Sequence, residues 1–452
     1  MSLLPRSLLH NLESVPGFDS AAFEAVHASG EQVTSIRLNP AKPVLLDDEW
    51  VITAQVPWCP HGRYLASRPS FTLDPRLHAG AYYVQEASSM FLWHALEKTA
   101  GETMGKKVLD LCAAPGGKSS LLASYFQDGL LVSNEVIKPR VNILAENLSK
   151  WGSSHVIVTN NDPAHFQALE NYFDVMVVDA PCSGSGLFRK DPGAIAEWSE
   201  ANVLLCSQRQ QRILADALPA LKENGLLIYA TCSYSPEEDE QIADWLCSKM
   251  EMESIALDVP AEWGIVETVS SETAAYGYRF YPDRLKGEGF FMAVFRKKTG
   301  SSSGYWKEQS LPMANKQEAA LVNDFIPIPA SFSLFKQADS IRTIEQQWLA
   351  ALQVLAKALY IRKAGIEIGA IKGKDLVPAH ELALGSLPLD KLPGIELNKE
   401  QALQYLRRKD FSADAVKGWN LIRYCGLPLG WVKVLPNRIN NYYPAEWRIL
   451  KE

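Results

Sequence analysis

No pair of cysteines in this chain has C-x-x-C spacing. Its seven cysteines, at 59, 112, 182, 206, 232, 247 and 425, are scattered through 452 residues. That spacing excludes the common zinc and thioredoxin-like frameworks, and no metal site is expected. An odd, unclustered set fits reduced thiols in a reducing compartment. No apolar run approaches the roughly 20 residues that a membrane span needs. The opening MSLLPRSLLHNLES lacks the basic start and continuous apolar stretch of a signal peptide. These absences predict a soluble, cytoplasmic protein, expected as a monomer. Internal repeats and low-complexity tracts are missing too. So are both phosphate-cradling motifs. G-x-G-x-x-G does not occur, and GGKSS only superficially suggests a P-loop, because the glycine required five positions before Gly117 is Cys112.

What is present is ordinary globular composition, 47% apolar and 21% charged. The length predicts two or three domains. Net charge is −7 but unevenly spread: residues 301–452 carry 20 Lys+Arg against 15 Asp+Glu, the remainder 25 against 37. The acidic total argues against a sequence-blind polyanion binder and leaves room for a local basic face.

LPRSLLHNLES and FDSAAFEAVHAS have helical spacing of apolar residues, whereas TSIRLNPAK and EWVITAQVPW look extended. From about residue 105 strands and helices alternate: KKVLDLC, GKSSLLASYFQ, LLVSNE, KPRVNILAENLSKWG, SHVIVTN, YFDVMVVDA, a long helix EANVLLCSQRQQRILADALPALK, GLLIYATC, SPEEDEQIADWLCSKM and GFFMAVFRK. Near-continuous apolar strands between helices predict an α/β domain with a doubly wound, mostly parallel sheet. A Gly/Ser-rich linker follows. Beyond it WLAALQVLAKALY reads as a helix, followed by shorter Gly- and Pro-rich pieces.

In such a sheet, ligands bind beyond the carboxyl ends of the strands. The first strand ends in DLCAAPGGKSS, whose small residues and glycines let the backbone approach a ligand. Glu135 ends the next strand, 19 residues after Gly116, a spacing that suits a carboxylate on ribose hydroxyls. Asp162 follows the third strand and Asp179 the fourth. For either feature alone, a tight turn or a solvated strand end is an equal alternative. Their order along successive strands favours a nucleoside-type ligand, and S-adenosylmethionine fits. Arg140 completes the expected donor set.

Two cysteines sit just past strands, in DAPCSGSG (Cys182) and ATCSYSPEE (Cys232). A lone cysteine there is more often a packing thiol. Two at the donor edge suit nucleophilic covalent catalysis on cytosine. A thiolate adds to C6, C5 accepts a methyl group, a base removes the C5 proton and the thiolate leaves. Ser235, Pro236 and Glu238 suggest a capping box that fixes the Cys232 loop.

DLCAAPGGK, DAPCSGSG and TCSYSPEE together resemble the motifs of the Nol1/Nop2/Sun family of RNA 5-methylcytosine methyltransferases. RLNP, YYVQEASSM and RFYPDRLKGEGFFMAVF resemble further family segments, so the likeness covers about 30–297. It implies a Rossmann-like S-adenosylmethionine-dependent methyltransferase domain with an N-terminal α+β RNA-contacting extension. The domains expected are 1–80 (extension), 81–298 (methyltransferase), 299–310 (linker) and 311–452 (RNA-binding). The resemblance implies that Cys232 attacks C6 and that Cys182 assists release, with Asp179 and Pro181 positioning base and donor. It implies that Lys118 and the backbone of Cys112, Ala113, Ala114, Pro115, Gly116 and Gly117 hold the methionine part, Glu135 the ribose and Asp162 the adenine. DNA cytosine methyltransferases attack instead from the Pro-Cys motif, which would reverse the cysteine roles; the TCS motif favours the RNA assignment. The chain departs from many relatives at Asp283, where they have histidine.

Arg37, Arg63, Arg68, Arg189 and Lys190 are candidates for guiding an RNA backbone. Arg407, Arg408 and Lys409 lie near Tyr405, Phe411 and Trp419, a mixture that suits phosphate contact with stacking; a plain helix surface is the equal alternative. GLPLGWVKVLPNRINNYYP resembles the PUA-like α+β tail of bacterial RsmF-type small-subunit rRNA enzymes. That makes 16S rRNA or the small ribosomal subunit the expected partner, with transfer RNA, or a noncatalytic ribosome-assembly role, as alternatives.

Overall fold

The computed structural model describes residues 4–44, 50–301 and 304–451. Glu49, in the expected extended segment, and Ser302 and Ser303, in the expected linker, lie outside the described residues. Its centre is a ten-stranded sheet. The strands are β1 (Lys107–Asp110), β2 (Leu130–Asn134), β3 (Val156–Thr159), β4 (Phe173–Asp179), β5 (Leu221–Thr231), β6 (Met252–Ser254), β7 (Val266–Val269), β8 (Tyr276–Phe280), β9 (Phe290–Lys297) and β10 (Ile361–Ala364). Their order is β7-β8-β9-β5-β4-β1-β2-β3-β10, with β6 paired to β9. The block from β5 to β3 is parallel, and β9 runs antiparallel to β5. The edge strand β10 runs antiparallel to β3 and comes from the tail, beyond the linker.

Alternate residues of the strands enter two different cores. Leu109, Val132, Met176, Val178, Leu227 and Tyr229 face one side, where Phe335, Trp348, Leu352 and Leu355 of the tail cover them. Val108, Leu131, Val158, Val175, Val177 and Ile228 face the other, with Phe91, Leu122, Leu144, Val56 and Trp58. Period-two alternation with both faces buried explains why the sequence shows continuous apolar runs. Helices on the two faces include α1 (Gly117–Tyr125), α2 (Lys138–Trp151), α3 (Glu200–Ala217) and α4 (Glu240–Lys249).

Ahead of the sheet lie helices Arg6–Leu12 and Ser20–Ala28 and an antiparallel four-stranded sheet in the order Ile52–Gln55, Gly62–Leu65, Thr34–Leu38, Tyr82–Tyr83. The tail holds two further four-stranded sheets and the helix Leu349–Ala358. Ile36, Trp50 and Tyr82 from the start of the chain share a core with Tyr405, Ile422, Leu429 and Tyr443 from its end.

The structure corrects three expectations. The helix after Cys232 starts at Glu240, not at Ser235, so the capping box does not form: residues 236–239 are turns, and Glu238 is fully buried. Arg37 is fully buried and cannot meet RNA. It donates to Gln85 Oε1 (2.7 Å) and Ser120 Oγ (2.6 Å), tying the N-terminal sheet to α1. Tyr405 is a fully buried core residue, not a stacking platform.

Candidate active site

Five adjacent parallel strands end on one edge. β5 delivers Cys232, β4 delivers Asp179 and Cys182, β1 delivers Asp110 and Cys112, β2 Glu135 and β3 Asp162. A cavity of about 600 Å³ opens there, lined by Cys112, Ala114, Glu135, Arg140, Asp162, Asp179, Pro181, Cys182 and Cys232 from the sequence-based set. The size suits a nucleoside-type ligand. Ala113, Pro115, Gly116, Gly117 and Lys118 do not line it. Gly116 caps α1 with φ +111°, a backbone region that L side chains rarely adopt, and the Ala114–Pro115 bond is cis.

Lys118 reaches Asp179 instead, at 2.7 Å, joining the first turn of α1 to the end of β4. Burial opposes its charge, but the charge and hydrogen bond of Asp179, with Asp110 and Cys232, together hold the ammonium above its ordinary range. Glu135 is nearly buried. It accepts from the Ile137 N–H at 2.9 Å and faces Arg140 at 3.4 Å, while Arg140 also donates to the Ala114 carbonyl at 2.6 Å. Asp162 accepts from the Ala164 N–H at 3.0 Å. Burial pushes the Cys112 thiol well up, and the carboxylates Asp110, Glu135 and Asp179 add to it. Burial also raises the fully buried Asp110 carboxyl to about 7; Ser119 donates to its Oδ2, and its Oδ1 has no hydrogen-bond partner.

The two sulfurs of Cys182 and Cys232 are 3.0 Å apart, in hydrogen-bond contact. The hydrogen bond with Cys232, then burial, then the charges of Cys232 and Glu238 hold the Cys182 thiol well above its ordinary range. Either sulfur could donate in this contact, and the raised Cys182 thiol resists becoming the second negative charge of the pair.

Several residues here escaped sequence reasoning. Asn134 donates to the carbonyls of Leu111 and Asn161 and accepts from Thr159 Oγ1 and the Asn161 N–H, lacing three strand ends together. Glu238 contacts both cysteine loops, although its sequence signal was that of a cap. Arg209 and Arg212, exposed on α3, stand on the cavity rim beside Leu187; their three-residue spacing on a helix was the available signal.

The basic candidates divide. Arg68 and Lys190 are exposed. Arg63 donates to the carbonyls of Pro60 and Gly62. The Arg189 side chain is buried against Glu288 at 3.8 Å. Asp283 lies off the cavity lining, its carboxyl raised by burial. In the tail, Arg407 donates to the Lys451 carbonyl, Arg408 to that of Tyr443, and Lys409 is exposed. Trp419 pairs with Tyr442 at 4.5 Å, with Lys433 over its ring at 5.3 Å. Among the described residues no helix is long and apolar enough to cross a membrane.

Comparison with known proteins follows this layout. Residues 4–87 match the N-terminal domain of 16S rRNA methyltransferase RsmF, residues 94–296 match 16S rRNA methyltransferase RsmB/F, and residues 393–449 match the methyltransferase RsmF PUA domain. A ribosomal RNA small subunit methyltransferase F from Psychromonas ingrahamii is 31% identical over 420 residues, spanning 88% of this chain and 85% of that protein. Its counterpart from Shewanella loihica is 29% identical over 438 residues, spanning 91% and 88%. A methyltransferase homolog protein from Pyrococcus horikoshii has a solved structure that is similar at TM-score 0.52 and 28% identity, covering 65% of this chain and 100% of that one.

Proposed function

Because the chain belongs to the RsmB/F family of 16S rRNA methyltransferases, we propose that it methylates C5 of cytosine in small-subunit rRNA, with Cys232 as nucleophile and Cys182 assisting release. The observation that carries this reading is the hydrogen-bonded sulfur pair on the wall of a cavity whose other walls bear Glu135, Asp162 and Asp179. Three carboxylates fit a cationic sulfonium donor with ribose hydroxyls. Glu135 and Asp162 would hold its nucleoside part, and Asp179 would face its methionine end. When bound, S-adenosylmethionine supplies an electrophilic methyl group.

The target cytosine leaves its stack to reach the sulfurs. Cys232 attacks C6 as a thiolate, electron density gathers at C5, and C5 would take the methyl group that the bound donor supplies. Once Cys232 is bonded to carbon, it no longer holds the Cys182 proton through hydrogen bond and charge. Cys182 then releases its own proton to solvent and as thiolate takes the C5 proton, and the electron pair of that C–H bond forms C5=C6 as Cys232 leaves as thiolate. Lys118 and Asp179 keep the donor turn and the Cys182 strand in register. Arg209 and Arg212 offer the rim charges to phosphates beside the flipped base, and exposed Tyr442, backed by half-buried Trp419 and by Lys433, offers the tail a stacking contact.

The test is incubation with the donor and unmodified small-subunit rRNA, followed by nucleoside mass spectrometry. New 5-methylcytidine is expected; its absence there and its appearance on transfer RNA would move the substrate, and silence on both would leave a noncatalytic factor. Cys232→Ala should abolish product, and Cys182→Ala should accumulate a covalent RNA–protein adduct. An active Cys232→Ala protein would defeat the assignment of roles.

A further inference from the structure

The loops carrying Cys182 and Cys232 leave neighbouring parallel strands, and the sheet ladder ends before either sulfur. The loops meet directly where the Gly186 N–H donates to the Cys232 carbonyl (2.9 Å) and the Tyr234 N–H to Ser185 Oγ (2.9 Å), and beside the cysteines one carboxylate joins them further. Glu238, fully buried, accepts from the Ser183 N–H (2.8 Å), Ser183 Oγ (2.5 Å), Ser233 Oγ (2.6 Å) and Gln210 Nε2 (3.1 Å). Ser183 follows Cys182 and Ser233 follows Cys232. Gln210, on α3, also donates to the Pro181 carbonyl at 3.1 Å, so the grip reaches the residue before Cys182. Tyr229 supports it from beneath, donating to the Glu238 carbonyl at 2.6 Å.

We propose that Glu238 is a positioning residue: by gripping the residue after each cysteine it fixes the sulfur pair and biases the shared proton toward Cys182. This rests on the cysteine-pair reading of the site. The physical reason is twofold. A carboxylate that accepts four hydrogen bonds from three elements pins both loops at once, which four separate neutral contacts would do less firmly. Its charge also acts on Cys182 and disfavours a second negative charge there. The other groups facing this cluster are Asp179 and Lys118 near Cys232, Cys206 and Arg209 from α3, and Tyr229 and Asp239 beneath. The Lys118–Asp179 pair is internally matched. Asp239 is matched by Arg279 at 3.2 Å.

The experiment follows the alkylation of Cys182 and Cys232 by iodoacetamide across pH, peptide by peptide, in the full chain. It needs neither donor nor RNA. In the unchanged protein Cys232 should react faster than Cys182 near neutrality. In Glu238→Gln that preference should shrink on the order of tenfold, and the Cys182 profile should move to lower pH by about one unit. A folded Glu238→Gln protein with unchanged preference and unchanged profiles would overturn the proposal. Ser183→Ala/Ser233→Ala provides a second variant should Glu238→Gln fail to fold. It keeps the carboxylate but opens the clasp, and loss of the sulfur–sulfur hydrogen bond should move the Cys182 profile in the same direction; an unmoved profile would count against the proposal equally. Failure to find methyl transfer on any RNA would sink the proposed function while leaving these profiles to decide the role of Glu238.

Discussion

Arg37 and Asp110 show how far burial changes what a charged residue does. Burial lowers the Arg37 guanidinium to about 10, and its ring neighbour is Trp151 at 4.5 Å. Arg37→Ala should cost on the order of 3 kcal/mol through lost hydrogen bonds and packing, read as a lower Tm. The salt dependence of RNA binding should not change, because Arg37 touches no phosphate. Arg209→Ala should do the reverse, leaving stability nearly intact while the slope of log affinity against log salt falls by about one. Asp110, raised to about 7, keeps its proton in the native state while the unfolded chain has already released its own. Between about pH 4 and pH 7 the native state thus binds more protons, and stability falls as pH rises, by on the order of 4 kcal/mol at the top of that window. Asp110→Asn should remove that slope and raise the unfolding midpoint at pH 8, which thermal melts across pH would check.

Among the elements, the donor turn is the most constrained. Gly116 stands at φ +111° between β1 and α1, so Gly116→Ala should strain the turn by about 1–2 kcal/mol and weaken S-adenosylmethionine binding, measurable by calorimetry. The parallel strands were legible in the sequence because Val108/Leu109 and Val175–Val178 bury both of their faces, leaving unbroken apolar runs. The same logic located Glu135, Asp162 and Asp179, which follow those runs. The edge strand β10 was not legible. IRKA is short, carries two cations, and pairs with a strand distant in sequence, and nothing local encodes such a partner. Ser235–Glu238 misled for a related reason. Its pattern is that of a local cap, but Ser183, from another loop, competes for the same carboxylate and wins. Arg37 misled because an arginine is almost never fully buried unless paired.

Taken whole, the molecule is built around the sheet from both ends of the chain. The start covers one face, and residues 332–364 cover the other and add its last strand. A chain cut after residue 300 would leave the apolar face beneath Trp348, Leu352 and Leu355 bare and the β3 edge unpaired. It should aggregate, as light scattering would show, where the full chain stays monodisperse. β10 also anchors the loop bearing Asp162: the Tyr360 carbonyl accepts from the Asn160 N–H (3.1 Å) and Asn161 Nδ2 (3.0 Å), and the Tyr360 N–H donates to Asn161 Oδ1 (2.9 Å). This gives the architecture a timetable. Val158 leaves the ribosome about 200 residues before its partner Lys363, an interval of roughly 10–40 s at ordinary rates of synthesis. From the synthesis of Cys232 to the end of that wait both thiols of the pair are present but the wall bearing Asp162 lacks its final ties, so the nascent enzyme matures only as its tail arrives.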